Sequence, residues 1–319
     1  MAFDIYEAVT ERIIEQLEQG IIPWHKPWVV AMARTRKTRR TYIIDKSRLA
    51  VSHTNGKIYS TLNQMLLCEP GEYATFNQIR DEGGRVKKGE HGRMVVFWKI
   101  QVVKETDVDG NEKEKTIPIL RYYTVFNIMT QCEGMKVKFW KPETELVVEE
   151  PDPDPVPERP EIGVHEVAEE ILHGYWEREG IPVYHVNGDS AFYRPYDDSI
   201  TLPERNQFTS IEEYYSTAFH ESAHSTGCKK RLDRFTGKER FGNEEYSKEE
   251  LVAEISASML VFMTGLETEK SFRNSTAYIQ SWLKALKNDK RMIVSASSRA
   301  EKAVAMIIGD DAEEEEKTA

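Results

Sequence analysis

Apolar residues near the amino terminus recur at the spacing of an amphipathic helix. They are Ile5, Val9, Ile13, Ile14 and Leu17, separated mainly by polar and acidic residues. This periodicity predicts a helix. Gly20 predicts its end, because glycine readily adopts the left-handed conformation that follows many helices.

The rest of the first 140 residues mixes helical and extended patterns. The segments TLNQMLL and TFNQIRDEGG predict two short helices. Runs rich in β-branched and aromatic residues at 94–103 and 120–128 predict strands. A charged insert, 104–115, separates these strands, and its Asp-Gly pair signals a turn.

Beyond residue 163 the pattern becomes mostly helical. A helix is predicted near 164–178, and short strands are predicted at 182–187 and 191–203. A further helix should begin at Ser247 as its N-cap, with Glu250 three residues later as the capping-box partner. The whole pattern is typical of an α+β protein.

Length and composition favour two domains. The chain has 319 residues, which is long for one domain. Five prolines alternate with acids in ETELVVEEPDPDPVPERPEIG and predict an extended spacer. We therefore predict domains at 1–142 and 164–309, a linker at 143–163 and an acidic tail at 310–319.

The net charge of -11 is unevenly distributed. Residues 1–140 hold 22 Lys and Arg against 17 Asp and Glu, whereas the remainder holds 21 against 37. Opposite charge in the two halves suggests two separate tasks, and the front half alone is compatible with nucleic acid.

The sequence contains no apolar run long enough for a membrane helix. Its acidic start does not resemble a signal peptide. The cysteines, Cys68, Cys132 and Cys228, form no CxxC pair, which suits a reducing compartment. We expect a cytoplasmic protein without a membrane partner.

The segment HESAH at 220–224 matches the HExxH pattern of zinc peptidases. On a helix, His220 and His224 share one face and can bind one Zn²⁺ ion. Glu221 would be the general base for a metal-bound water. No proline interrupts residues 204–224, so a helix can run through the motif.

A catalytic zinc site needs a third protein ligand. Lys230 occupies the position of the third histidine in the metzincin pattern, which excludes that arrangement. The downstream Glu250 and Glu254 match the gluzincin pattern. Resemblance to thermolysin-like gluzincins implies Glu250 as ligand and Glu254 as the carboxylate that orients a zinc histidine. Exchanged roles, and Glu249 as ligand, stay open.

Residues near the motif have alternative interpretations. Cys228 is interpreted as a packed thiol, and Tyr278 as a candidate donor to a developing oxyanion. A basic cluster follows the motif and is interpreted as a solvated helix end. It consists of Lys229, Lys230, Arg231 and Arg234.

The front domain interleaves basic and aromatic residues, which is the composition that single-stranded DNA requires. The candidate DNA contacts are Trp24, Lys26, Trp28, Arg36, Lys37, Arg39, Arg40, Lys87 and Lys88. Phe97 and Trp98 adjoin on a predicted strand, so one should face the core and the other solvent.

A family resemblance is carried by blocks along nearly the whole chain: DIYEAVTERIIEQLEQGIIPWHKPW, TFNQIRDEGGRVKKGEHGRMVVFW, YYTVFNIMTQC, DSITLPERNQFTSIEEYYSTAFHESAHSTG, EELVAEISASML and AYIQSWLKAL. In these blocks the chain resembles the class C antirestriction (ArdC-like) family, which plasmids and other mobile elements carry. This resemblance implies a small mixed α/β domain that binds single-stranded DNA, followed by a zincin-like metallopeptidase domain.

By position, the resemblance implies His220, His224 and Glu250 as metal ligands and Glu221 as the catalytic glutamate. The chain departs from the family where a Tyr-x-Gly-x-Asn block reads IYSTLNQ, which keeps Asn63 but lacks the glycine. It also has Cys228 where a histidine often follows the HExxH glycine.

These observations favour an antirestriction-type protein of a mobile element that binds single-stranded DNA and carries a zinc-dependent metallopeptidase site, with a protein substrate as a further candidate partner. Mn²⁺ or another divalent ion could replace Zn²⁺. In one alternative the protein shields DNA by occupancy alone and its metal is structural. In another, the peptidase acts on a protein partner and DNA is only a scaffold that localises it.

Overall fold

The computed structural model describes residues 3–25, 46–106, 112–141, 163–237, 243–266 and 276–310. The front region (3–141) contains helices α1 (Ile5–Glu18), α2 (Thr61–Leu67) and α3 (Phe76–Asp81), and strands β1 (Ala50–Ser52), β2 (Gly71–Thr75), β3 (Arg85–Val86), β4 (Arg93–Thr106), β5 (Glu112–Asn127) and β6 (Cys132–Glu133). The rear region (163–310) contains α4 (Glu166–Glu179), β7 (Val183–Val186), β8 (Phe192–Arg194), β9 (Ser199–Pro203), α5 (Ile211–Ser225), α6 (Glu244–Thr264), α7 (Thr276–Asn288) and α8 (Met292–Ile308).

These elements confirm the predicted α+β class and its two parts. Strands and short helices dominate the front region, and a three-stranded sheet precedes long helices in the rear region. Among the described residues, no helix is both long and apolar enough to cross a membrane. The predicted linker and tail fall almost wholly outside the described residues, so the domain boundaries stay predictions.

The front sheet has the order β1-β2-β5-β4, which leaves β4 at an edge. Asn63 on α2 binds this edge through both ends of its amide. Its Nδ2 donates to the Val96 carbonyl at 2.8 Å, and its Oδ1 accepts from the Val96 N–H at 2.7 Å. The amide thus satisfies two backbone groups that a neighbouring strand would otherwise bind, and it fixes α2 beside β4.

The β4–β5 hairpin is longer than the apolar pattern predicts. Pairing continues into the charged insert as far as Thr106 and Glu112. Within it, Lys104 pairs in register with Glu114, and Glu105 with Lys113. The Asp-Gly turn signal lies outside the described residues.

The prediction that Ser247 caps α6 is wrong. The helix begins at Glu244, and the Asn243 side chain accepts the N–H of Tyr246 at 2.8 Å. Ser247 lies inside the helix, where its hydroxyl donates to the Asn243 carbonyl at 3.1 Å. Asparagine is as strong an N-cap as serine, so a competing cap one turn earlier determines the start.

The front and rear regions share one hydrophobic core. Val9, Ile13 and Leu17 of α1 belong to the same buried cluster as the residues of α6, α7 and α8. Trp24 is fully buried in that cluster, with its ring 5.1 Å from the ring of Trp282 in an edge-on arrangement. Trp24 therefore exposes no face for base stacking, and its prediction as a DNA contact is wrong.

An ion-pair cluster ties the rear sheet to the loop after α5. Arg231, whose side chain is 1% exposed, donates to both carboxylate oxygens of Asp198, at 2.8 and 3.0 Å. Burial would raise the pKa of Asp198, but hydrogen bonds from Arg231, Lys230 and Tyr193 outweigh it and lower the pKa to about 2. The backbone at Asp198 has φ = 53°, which asparagine also tolerates.

We expect Asp198→Asn to lower the free energy of unfolding at neutral pH by about 2 kcal/mol, since a lowered folded-state pKa is stabilising. This contribution is fully present above the unfolded-state pKa of 3.8 and disappears as the pH falls towards 2. Urea unfolding of both proteins between pH 7 and pH 3 should show the difference shrinking only at the acid end. Asp197→Asn, at the more exposed neighbour, is the control and should have a smaller effect. A difference for Asp198→Asn that does not vary with pH would contradict the assignment.

Candidate metal centre

Helix α5 carries the HESAH motif and is fixed by its neighbours. The Ser210 side chain caps its start by accepting the N–H of Glu213. From α4, the Trp176 indole N–H donates to the Ser222 hydroxyl at 2.9 Å, and the Tyr175 hydroxyl lies 2.8 Å from the Ser225 hydroxyl. These contacts hold the face of α5 that carries the two serines, so the histidine face points towards α6.

Helix α6 brings a carboxylate to the two histidines. The Nε2 atoms of His220 and His224 are 3.1 Å apart. The oxygens of Glu250 lie 3.6 Å from His220 Nε2 and 3.4 Å from His224 Nε2. One ligand atom from each residue can be chosen so that all three lie within 4.8 Å of one another. The predicted ligand set is therefore assembled in space.

Two further glutamates of α6 hold the outer ring nitrogens. Glu254 lies 3.2 Å from His220 Nδ1, and Glu249 lies 3.4 Å from His224 Nδ1. An ionised carboxylate only accepts, so each Nδ1 donates to its glutamate, and each Nε2 is the atom that can bind a metal once it has lost its proton. This geometry favours Glu250 over Glu249 and Glu254 as the ligand and gives those two an orienting role.

The carboxylates change the pKa of both imidazoles in the absence of metal. Burial alone would lower the pKa of His224, but hydrogen bonds to Glu249 and Glu250 outweigh it and raise the pKa to about 9. The pKa of His220 rises well above its ordinary value for the same reason, through Glu250 and Glu254. Burial would raise the pKa of Glu254, but hydrogen bonds from His220 and His25 outweigh it and lower the pKa to about 2. Metal binding must therefore displace protons from the histidines.

Arg234 supports Glu249 from the loop after α5. Its side chain is 4% exposed, and its Nη2 lies 2.7 Å from Glu249 Oε1. The same guanidinium donates to the Ala223 carbonyl at 2.9 Å and to the Thr226 hydroxyl at 2.6 Å. A Cβ at Gly227 would lie 2.9 Å from the Phe235 ring, so glycine permits this close approach of the loop.

The basic cluster after the motif is not the solvated helix end that the sequence suggests. Arg231 and Arg234 are buried ion-pair partners, whereas Lys229 and Lys230 are exposed. Arginine suits such sites because its planar donors can satisfy several acceptors at once. The sequence alone gives no signal that separates these arginines from the adjacent lysines.

Glu221 is positioned by the rear sheet. Its Oε2 accepts the backbone N–H of Tyr193, on edge strand β8, at 2.7 Å. This bond orients the carboxylate beside His220, and its negative charge contributes to the raised pKa of that histidine. The second carboxylate oxygen can take up a proton. The arrangement suits the general base that the motif predicts.

Other predicted site residues differ in where they lie. Cys228 is buried, with its Sγ 2.9 Å from Arg231 Nη1, and it does not belong to the metal-ligand group found among the described residues. The backbone of Tyr278 lies in α7, but its side chain falls outside the described part, so its proposed role stays a prediction. The DNA-contact candidates Lys26, Trp28, Arg36, Lys37, Arg39 and Arg40 lie wholly outside the described residues, so their roles also stay predictions.

The front surface exposes aromatic rings on both faces of the hairpin. Phe97 is 42% exposed and Trp98 is 49% exposed, so the expectation that one of them faces the core is wrong. The hairpin extends past the core, which leaves both of its faces open. Phe97 and Tyr123 share one face, with ring centroids 5.6 Å apart. The cations Lys99 and Arg121 occupy the same face.

The donor set at the centre fits a divalent metal ion. Two imidazoles and one carboxylate are the ligands of many catalytic zinc sites, which keep a fourth position open. Imidazole and carboxylate donors also accept Mn²⁺ and other divalent ions. The outer glutamates provide the orienting partners that such ligands require.

Comparison with known proteins matches both regions. A family model described as the N-terminal domain of anti-restriction factor ArdC matches residues 3–126, and one described as a zincin-like metallopeptidase matches residues 170–299. The crystal structure of antirestriction ArdC protein from the R388 plasmid, metal-free, is similar with a TM-score of 0.66 and 32% identity, over 97% of this chain and 98% of that one. Its Mn(II)-bound structure gives a TM-score of 0.69 and 30% identity, over 98% and 99%.

Three curated relatives are also similar. Two DNA primases named TraC, from Escherichia coli, are each 34% identical over 93% of this chain. The chain spans only 19% and 26% of their lengths. The uncharacterised protein y4eC of Sinorhizobium fredii (strain NBRC 101917 / NGR234) is 31% identical over 93% of this chain and 89% of its own length.

We expect Glu249→Leu to weaken metal binding by about 10- to 100-fold, because His224 loses the acceptor that orients it. The substitution should also lower the free energy of unfolding by about 3–5 kcal/mol, since Arg234 becomes a buried unpaired charge. Chelator competition measures the first effect, and urea unfolding of the metal-free protein measures the second.

The double variant Glu249→Leu/Arg234→Met separates the two effects. It removes the whole ion pair, so it should recover much of the stability but not the metal affinity. Recovery of metal affinity together with stability would show that Glu249 acts only through the fold.

Proposed function

This chain belongs to the ArdC family of antirestriction proteins, and from that membership we propose that it protects incoming DNA by joining a surface for single-stranded DNA to a metal-dependent peptidase site. The observation that carries the peptidase part is the set of His220, His224 and Glu250, with Glu221 fixed beside it. A structural metal needs no general base, so the orientation of Glu221 beside the three candidate ligands favours a catalytic site.

Each residue of the centre has a distinct role in the proposed hydrolysis. His220, His224 and Glu250 would hold the metal, which when bound supplies a Lewis acid for a peptide carbonyl and lowers the pKa of water. Glu221 takes a proton from the attacking water and later delivers it to the leaving amine. Tyr193 contributes only its backbone N–H, which keeps the Glu221 carboxylate in position.

The proposed DNA surface is the aromatic platform of the hairpin, formed by Phe97 and Tyr123 with Lys99 and Arg121. Exposed rings offer faces on which bases stack, and adjacent cations attract phosphates without reading sequence. Both rings also line a cavity of about 370 Å³ beside β4. Lys87 and Lys88, which are also exposed on the front region, remain separate candidates for phosphate contacts.

The second candidate function is protection by occupancy alone. In that case bound protein shields the DNA and the metal serves only to stabilise the rear region. The exposed aromatic and cationic platform favours this alternative as much as the first, because it requires no hydrolysis. The two differ in whether protection depends on Glu221.

We expect Glu221→Gln to keep about one equivalent of metal but to lose protection of an unmodified plasmid that enters a restricting host. The amide preserves size and the bond from Tyr193 but cannot take a proton, and loss of a general base lowers a rate by about 10²- to 10⁴-fold. Mass spectrometry measures the metal, and transformation efficiency measures protection.

His224→Ala is the matched control and should lose both the metal and the protection. Undiminished protection by Glu221→Gln would exclude the hydrolytic role and favour occupancy. Absence of metal from folded wild-type protein supplied with zinc would exclude the metal site itself.

We expect Phe97→Ala to weaken binding of a labelled oligothymidine, because loss of one stacked base costs about 1–3 kcal/mol. Lys99→Ala should instead reduce the salt dependence of binding by about one phosphate contact. Fluorescence anisotropy at several salt concentrations distinguishes the two. Tyr196→Ala, which removes a 97% exposed ring from the rear region, is the control. Equal effects of Phe97→Ala and Tyr196→Ala would contradict the platform.

A further inference from the structure

A histidine from the front region reaches the outer carboxylate of the metal centre. After α1, a short 3-10 helix at Pro23–His25 packs against α6. There the Nε2 atom of His25 lies 3.1 Å from Glu254 Oε1. Both side chains are largely buried, at 13% and 11% exposure. His25 lies 229 residues from Glu254 in the chain.

The two oxygens of Glu254 have different partners. Oε2 faces Nδ1 of His220, at 3.2 Å, while Oε1 faces His25. Since the carboxylate can only accept, both imidazoles donate to it. His25 therefore fixes the orientation of the group that fixes His220.

We propose that His25 is a positioning residue of the metal centre, acting through Glu254 on the metal ligand His220. The proposal rests on the proposed function, since it assumes that His220, His224 and Glu250 bind the metal. It implies that the front region completes the centre of the rear region. His25 holds Glu254, and Glu254 holds the His220 ring. The ring is therefore already ordered before the metal binds, and binding costs less conformational entropy.

The surroundings of His25 keep it in place independently of the metal. The adjacent Trp24 is fully buried against Trp282 of α7. Lys287 at the end of α7 also pairs with Glu18 of α1 at 2.7 Å. The segment that carries His25 is thus anchored by apolar packing, and the helix before it pairs with α7; neither contact involves Glu254.

The test compares His25→Leu with His25→Gln in the full chain. Leucine fills similar space but donates no hydrogen bond, whereas the glutamine amide can donate to Glu254. We expect His25→Leu to weaken Zn²⁺ affinity about three- to tenfold, below the roughly 10- to 100-fold effect of groups that contact a ligand directly. His25→Gln should restore most of the affinity. Chelator competition measures the affinity, and circular dichroism with thermal unfolding in excess chelator measures the fold.

Two controls separate positioning from general loosening. Trp24→Phe disturbs the packing of the same segment and should lower the unfolding temperature without the loss of Zn²⁺ affinity seen in His25→Leu. In a Glu254→Gln background, His25→Leu should add little to the loss of affinity, because residues that act through one another are not additive.

The outcomes distinguish this proposal from the proposed function. Wild-type protein without Zn²⁺ affinity overturns both. Wild-type affinity with an unchanged His25→Leu variant overturns the role of His25 alone. Equal losses in His25→Leu and His25→Gln, or full additivity with Glu254→Gln, also overturn it. If His25→Leu does not fold, the comparison of His25→Gln with His25→Ala decides the question.

Discussion

The structure depends on keeping three carboxylates ionised at the buried contact between α5 and α6. Glu249, Glu250 and Glu254 project from α6 into a region from which water is largely excluded. Buried charges cost several kcal/mol each unless donors compensate them. His220 and His224 on α5 provide that compensation from one side. These ion pairs link α5 to α6 along the faces that carry the histidines and the glutamates.

The remaining donors come from elements far apart in the sequence. Arg234 reaches Glu249 from the loop after α5, and His25 reaches Glu254 from the front region. Tyr193 holds Glu221 by its backbone N–H. Each orienting contact is thus made by a different element, so the centre needs the packed body and not only the two helices. Loss of tertiary packing would therefore be expected to weaken metal binding as well.

The two regions match separate family models but share one hydrophobic core. The matches to two family models describe separate sequence modules, at 3–126 and 170–299. In the folded protein, α1 and Trp24 lie in the same hydrophobic cluster as the rear helices. A surface for DNA on the hairpin and a metal centre in the rear would therefore belong to one continuous body, in which burial of front residues supports the helices that carry the ligands.

The sequence by itself predicts most of the elements and the candidate metal ligands. Local periodicity predicts α1, α2 and the helix of the HESAH motif, because amphipathic spacing is a property of neighbouring residues. Helical geometry likewise places His220 and His224 on one face, and the motif and its resemblance supply Glu250. These predictions need no knowledge of distant contacts.

Only the tertiary structure decided which side chains support the ligands and which are exposed. Glu249 and Glu254 flank Glu250 with the same chemistry, and their roles follow from the direction in which α6 crosses α5. Arg234 and Trp24 look like surface residues in sequence, yet both are buried. Conversely, Phe97 is exposed because the hairpin extends past the core. Burial is set by contacts between residues distant in the chain, and local sequence patterns do not encode those contacts.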